Sequence, residues 1–219
     1  MNAIKYPRTY HLPFSEGRSS DDKIIHDLAH FEGKEIVISE KMDGENTSLY
    51  TDRTHARSLD SQHNFTRDWI KKMHSVLKFE IPEGYRLCGE NMAYFHSIHY
   101  TDLESFFYLF SVWNEKNVCL SYDETVMWAN LLDLVMPKVF YRGLFDIKAL
   151  HMVNSSIDFS TCEGFVGRLA SSFHYDDFSS SMFKYVRAGH VNDGAEHWLK
   201  TTYPNELTKS ITVKPSFMV

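Results

Sequence analysis

Residues 106–113, Phe-Phe-Tyr-Leu-Phe-Ser-Val-Trp, limit the folds open to this chain more than any other stretch. Eight consecutive residues with one small polar side chain offer water no face, which predicts a central strand covered on both sides. Strands are also predicted at residues 36–39 and 47–50, flanking an Asp-Gly turn, and at 85–91, 163–168 and 182–187. Helical spacing predicts a helix over residues 21–31, opened by an aspartate cap and carrying Ile24, Ile25, Leu28 and Phe31 on one face. A second helix is predicted over 67–77, with Trp69, Ile70, Met73, Val76 and Leu77 near one face, and a third over 121–134, where Ser121 and Glu124 form a reciprocal cap. This mixture points to an α+β fold, with antiparallel sheets and helices outside them.

A chain of 219 residues suits one main domain and buries a sizeable core without staples. Cys88, Cys119 and Cys162 are odd in number and far apart, which argues against a disulfide framework or a structural zinc site and fits a reducing cytoplasm. Residues 1–20 lack the apolar core of a secretory signal, and the longest apolar run is too short to cross a bilayer, so no membrane association is expected. The net charge of −6 argues against indiscriminate coating of nucleic acid while leaving room for a local basic cleft. The twelve histidines include His96-Ser97-Ile98-His99, but no His-Glu-x-x-His spacing occurs, and surface or polar-core roles account for them.

The chemistry concentrates in Lys41-Met42-Asp43-Gly44-Glu45-Asn46, just after the strand at 36–39. It sets an amine beside two carboxylates and a turn-forming glycine, where a lysine could attack a nucleotide phosphate; taken alone, the pattern also reads as an ordinary Asp-Gly turn. Its successors decide between these readings. In order come Ala56-Arg57-Ser58, Cys88-Gly89-Glu90-Asn91, Phe107-Tyr108-Leu109-Phe110, Glu163-Gly164-Phe165-Val166 and Phe183-Lys184-Tyr185-Val186-Arg187. The series resembles the ordered motifs of the covalent nucleotidyltransferases, which include ATP-dependent RNA ligases, DNA ligases and mRNA capping enzymes. Asn46, five positions after the lysine, resembles the RNA ligase 2-like branch, where DNA ligases and capping enzymes carry arginine.

The resemblance implies an adenylyltransferase domain over residues 1–190, an ATP cleft between antiparallel sheets, and a short tail, 191–219, packed on the same domain without an oligonucleotide-binding barrel. It implies an ATP-dependent RNA ligase that joins 5′-phosphate and 3′-hydroxyl ends through lysyl-AMP and adenylylated RNA. Lys41 would be the nucleophile, its amine neutralised by Lys184 and a bound divalent metal. Glu90 would hold the ribose hydroxyls, Phe110 stack on adenine and Glu40 contact the adenine amino group. Glu163 would bind Mg2+ or Mn2+. Arg57 and Lys184 would clamp phosphates, helped by Arg187, although the last motif usually carries two lysines one residue apart and this chain has Lys184-Tyr185-Val186-Arg187. Asn46 would contact the 3′-OH strand or the activated phosphate, and Asp43 would order the loop or the metal's waters. The expected partners are RNA ends and ATP, with a separate RNA end-healing protein an open question. A minimal DNA ligase, a guanylyltransferase-like enzyme and a non-catalytic nucleotide- or RNA-binding module are the alternatives.

Overall fold

The computed structural model describes residues 2–189 and 203–209. Its strands are β1 (Tyr10–His11), β2 (Glu35–Glu40), β3 (Glu45–Leu49), β4 (Thr54–Ala56), β5 (Arg86–Asn91), β6 (Phe107–Trp113), β7 (Val118–Cys119), β8 (Val139–Leu144), β9 (Gly164–Leu169), β10 (Phe173–His174) and β11 (Met182–Val186). Helix α1 is Asp68–Leu77, α2 is Tyr122–Leu131 and α3 is Ile147–Ser156. One sheet has the order β1-β11-β9-β2-β8 and the other β10-β7-β6-β5-β3-β4. All the ladders are antiparallel except β1 on β11. The fold is α+β, as the segment pattern predicts.

Strand β6 is covered on both faces, as its sequence requires. Phe107, Leu109 and Val112 pack with Ile70, Met73 and Leu77 of α1 and Ala129 of α2, while Trp113 packs toward Ile36, Ile38, Phe165 and Phe183 of the other sheet. Fully burying one such apolar side chain contributes roughly 1.5–3 kcal/mol, so the two clusters hold the sheets and helices in fixed relation. Helix α2 starts with the expected capping box: Ser121 Oγ accepts from the Glu124 N–H at 3.2 Å, and Glu124 Oε2 accepts from the Ser121 N–H at 2.8 Å. Such a cap is worth about 1 kcal/mol.

The predicted helix over 21–31 does not form; helical geometry there is confined to a single 3-10 turn, Ala29–Phe31. Extended pairing wins over helical spacing: Ile24 bridges His11 in parallel, and the Ile25 N–H donates to the His11 carbonyl at 2.9 Å. Asp21 and Asp22 accept hydrogen bonds from the Ser19 hydroxyl, closing a turn where the cap was expected. Strand β8 and helix α3 were not anticipated. Among the described residues no helix is long and apolar enough to cross a membrane.

Residues 203–209 lie along the loop that follows β5. Tyr94 bridges Pro204, Leu103 bridges Leu207, and the Asn205 side chain both donates to the Met92 carbonyl at 2.8 Å and accepts from the Tyr100 N–H at 3.1 Å. The rest of the tail, including Trp198, lies outside the described residues.

Candidate active site

Four residues, 41–44, carry the chain from β2 in one sheet to β3 in the other. Lys41 therefore sits where the sheets part, in a cleft of about 330 Å³. Three anchors hold this turn. The Lys41 N–H donates to the Gly164 carbonyl at 3.0 Å. The Met42 side chain is buried with Met92, Leu103 and Tyr108. The Asp43 carboxylate accepts from the Ser97 N–H at 2.7 Å, the Ser97 hydroxyl at 2.8 Å and the Ile98 N–H at 2.8 Å. Gly44 makes the turn possible by its lack of a side chain, since a Cβ there would lie 2.4 Å from the Asn91 carbonyl oxygen.

Lys41 Nζ lies 2.5 Å from Glu163 Oε2, and the carboxylate is almost wholly buried. Burial disfavours charge on the amine, but Glu163, Glu90 and Asp43 outweigh it and push the Lys41 pKa above the ordinary lysine value. The protein's own groups thus favour the charged amine; the divalent metal of the expectation is not among them. Lys184, from β11, is instead the lysine whose pKa falls, through burial first and the charge of Lys41 second. The sign follows from the count of neighbours: carboxylates crowd Lys41, while Lys184 faces Lys41 and Arg57 as well as Asp22 and Glu163.

On the opposite sheet, Asn46 of β3 stands directly across from Glu90 of β5, so their side chains share a face. Burial, reinforced by Glu163 and Asp43 and opposed by Lys41, pushes the Glu90 carboxyl up to about 8. It is therefore largely protonated at neutral pH and able to donate as well as accept. Asn46 Oδ1 is buried without a hydrogen-bond partner among the described residues, and Asn46 lines the cleft.

Phe110 reaches the cleft through an irregularity of the ladder. Cys88 pairs with Ser111 and Gly89 with Leu109, leaving Phe110 as the extra residue of a β-bulge, which re-aims a side chain. Tyr6 packs edge-on against its ring at a centroid distance of 5.3 Å. Glu40 and Arg57 also line the cleft. Burial raises the Glu40 pKa against the pull of Lys138, and Arg57 Nε donates to the Tyr6 carbonyl at 3.3 Å.

Asp43, Glu163 and Arg187 are not in the cleft wall. Asp43 faces the 97–98 backbone, and Glu163 reaches the cleft through Lys41. Arg187 directly follows the last residue of β11, and its N–H donates to the Glu163 carbonyl at 3.0 Å. Among the described residues, no group of three or more His, Cys, Asp or Glu side chains is arranged to hold a metal ion. Sequence reasoning missed the wall formed by Tyr6, Arg8, Thr9, Asp22 and Lys23. Those residues carry no periodicity; they are placed by the pairing of β1 with β11 and of residues 24–25 with His11.

A sequence profile of the RNA ligase family matches residues 34–186. No curated protein matches the chain. Among solved structures, an archaeal ATP-dependent RNA ligase superposes with a TM-score of 0.57 at 13% identity, over 84% of this chain and 48% of that one. A putative ATP-dependent DNA ligase from Aquifex aeolicus gives 0.58 at 16% identity, over 84% and 50%. A Naegleria gruberi RNA ligase mutant solved with ATP and Mn gives 0.51 at 14% identity, over 84% and 58%. The chain shares their nucleotidyltransferase-type fold and spans about half the length of the structures it matches.

Proposed function

The chain belongs to the RNA ligase family, and from that membership we propose that it is an ATP-dependent ligase joining RNA 5′-phosphate and 3′-hydroxyl ends through a lysyl-AMP intermediate. The observation that carries this reading is the convergence of Lys41, Asn46, Arg57, Glu90, Phe110 and Lys184, drawn from both sheets, on one cleft.

In the first step Lys41 Nζ attacks the α-phosphorus of ATP; the N–P bond forms, and the bond to the departing pyrophosphate breaks. The amine must first shed the proton it shares with Glu163, since only the neutral form has a lone pair to give. Arg57 and Lys184 bind the phosphates, where positioned cations stabilise charge that develops in the transition state by on the order of 3 kcal/mol per contact. Phe110 stacks on the purine, protonated Glu90 bonds the ribose hydroxyls, and Glu40 meets the adenine amino group. Asp43 acts as a positioning residue that fixes the loop carrying the nucleophile. The Glu163 carboxylate beside the Lys41 amine is an oxygen donor of the kind a divalent cation takes. Mg2+ or Mn2+ held by Glu163 would neutralise charge on the transferring phosphate.

AMP then passes to the RNA 5′-phosphate, and the 3′-hydroxyl displaces it, with Asn46 contacting the 3′-OH strand or the activated phosphate. Preference for RNA would rest on 2′-hydroxyl contacts. An end-healing partner would be needed wherever breaks carry other termini. The free buried thiols Cys88, Cys119 and Cys162 fit a reducing compartment such as the cytoplasm.

Incubation with α-labelled ATP and Mg2+ should leave an acid-labile phosphoramidate on the protein. The label should be absent from Lys41→Ala and should not be replaced by label from GTP. Covalent label persisting in Lys41→Ala would overturn the assignment.

A further inference from the structure

We propose that Arg8, on the segment leading into β1, is a nucleotide-binding residue that forms with Arg57 a two-guanidinium clamp for the β- and γ-phosphates and for the pyrophosphate that departs. This deepens the adenylyltransferase reading and rests on it.

Strand β11 presents Lys184 to the cleft, while its neighbours two positions away, Met182 and Val186, are apolar and buried. A triphosphate brings several negative charges, and the remaining cations must come from elsewhere in the wall. Arg8 lines the same cleft as Arg57, and its charge is felt at Arg57, where after burial it is the next influence lowering that guanidinium's pKa. Arg57 has no carboxylate within ion-pair distance among the described residues. Two guanidinium groups on the wall of one cleft repel one another, and a phosphate group between them, taken by planar forks of donors, relieves the repulsion.

The path that delivers Arg8 is built rather than loose. Tyr6 is buried, its ring edge-on to Phe110, Trp113 and Phe178 at 5.3, 6.3 and 5.4 Å. Its carbonyl accepts from Arg57 Nε, which ties the segment to the other half of the clamp. Pro7 fixes the backbone between anchor and cation, and the next residues pair with β11. The Arg8 guanidinium meets Asp21 at 3.4 Å, both side chains being well exposed. That contact is long enough to exchange for a phosphate. The half-exposed Arg8 side chain on the cleft wall suits a residue that meets the phosphate tail of the nucleotide.

If Arg8 binds the leaving group, it matters only when pyrophosphate is formed or consumed. Arg8→Ala should therefore lower the rate of covalent loading at subsaturating ATP at least tenfold. It should also weaken inorganic pyrophosphate binding by at least tenfold in calorimetry, while AMP affinity stays within twofold. Sealing of a pre-adenylylated RNA nick, which releases AMP and no pyrophosphate, should proceed at the wild-type rate, and Arg8→Lys should recover part of the loading. Unchanged pyrophosphate affinity in Arg8→Ala would overturn the proposal. So would an equal loss in sealing the pre-adenylylated nick, which would place Arg8 on the RNA 5′-phosphate instead. Absence of covalent label in the wild-type protein would defeat the ligase reading, while the pyrophosphate measurement would still report on the clamp.

Discussion

Lys41 Nζ and Glu163 Oε2 stand 2.5 Å apart, joining the end of β2 to the start of β9 with a buried carboxylate on one side and the open cleft on the other. The pair stores the nucleophile as an ammonium ion, its pKa raised by Glu163, Glu90 and Asp43 against the effect of burial. Nucleotide loading should therefore be limited by the deprotonated fraction of the amine. At saturating ATP, the single-turnover loading rate should climb about tenfold per pH unit from pH 6 toward 9, since each unit multiplies that fraction by about ten. A rate that is flat across this range would show that loss of the proton does not control the step.

Glu90 makes a prediction about stability. Its carboxyl titrates at about 8 in the folded protein against an ordinary glutamate value of 4.5. The folded state thus holds a proton that the unfolded chain releases, and the associated stability is fully present below pH 4.5 and lost as pH rises through about 8. Glu90→Gln mimics the protonated form and removes the linkage. The difference in Tm, wild type minus Glu90→Gln, should fall between pH 5 and 8; a constant difference across that window would refute the assignment.

His11 carries the opposite sign. Burial, with the charge of Lys184 next, lowers its pKa to about 4, so the unfolded chain takes up protons first as pH falls from the ordinary value of 6.5. The stability contributed by keeping His11 neutral should be lost from about pH 6.5 down to about 4. A His11→Gln variant should lack this acid-side decline in Tm. Because Ser15 Oγ lies 2.8 Å from His11 Nδ1 and also accepts from the Val186 N–H at 2.9 Å, protonation would press on the strand that carries Lys184.

Phe110 owes its place to the bulge in β6, where it has no cross-strand partner. Stacking of a base on an aromatic ring is worth roughly 1–3 kcal/mol, so Phe110→Ala should weaken AMP binding by about 5- to 150-fold. Phe110→Tyr should keep most of the affinity, because the π-face survives. Equal AMP affinity in Phe110→Ala and wild type, measured by calorimetry, would remove the ring from the nucleotide site.

Much of this arrangement was legible because local pattern and tertiary environment agree. Strand β6 is apolar but for Ser111 and covered on both faces, and Ser121 and Glu124 make the cap their spacing implies. Glu40, Lys41, Asn46, Arg57, Glu90, Phe110 and Lys184 were singled out by motif order, and the fold brings them to one cleft. Residues 21–31 were misread because Ile24, Ile25 and Leu28 suit either periodicity, and pairing with His11 selects the extended form. The Arg8 wall was invisible for a different reason: it depends on β1 meeting β11 across more than 170 residues of chain, which no local window contains. The charge state of Lys41 is not legible in sequence, because the charge it feels is a sum over β5, β9 and its own turn, and order along the chain does not show which sign prevails.

Gly44 tests whether the turn must be held where it is. A Cβ at this position would lie 2.4 Å from the Asn91 carbonyl oxygen, 2.7 Å from Met92 Sδ and 3.0 Å from Glu90 Cγ. The methionine could shift, but the carbonyl belongs to the backbone of β5 at its pairing with Glu45, so the turn itself must move. Overpacking of this kind costs about 1–3 kcal/mol, or a fall in Tm of about 2–12 °C for a domain of this size. Displacing residues 41–44 would also pull Lys41 from Glu163 and disturb the Asp43 contacts to Ser97 and Ile98. Gly44→Ala should thus lose loading by far more than its stability loss explains: below its Tm, where the variant is folded, the loading rate should fall at least a hundredfold. Asp43→Asn, which keeps one acceptor for the same donors, should lose less. A folded Gly44→Ala protein that loads at the wild-type rate would show that the position of this turn does not govern the nucleophile.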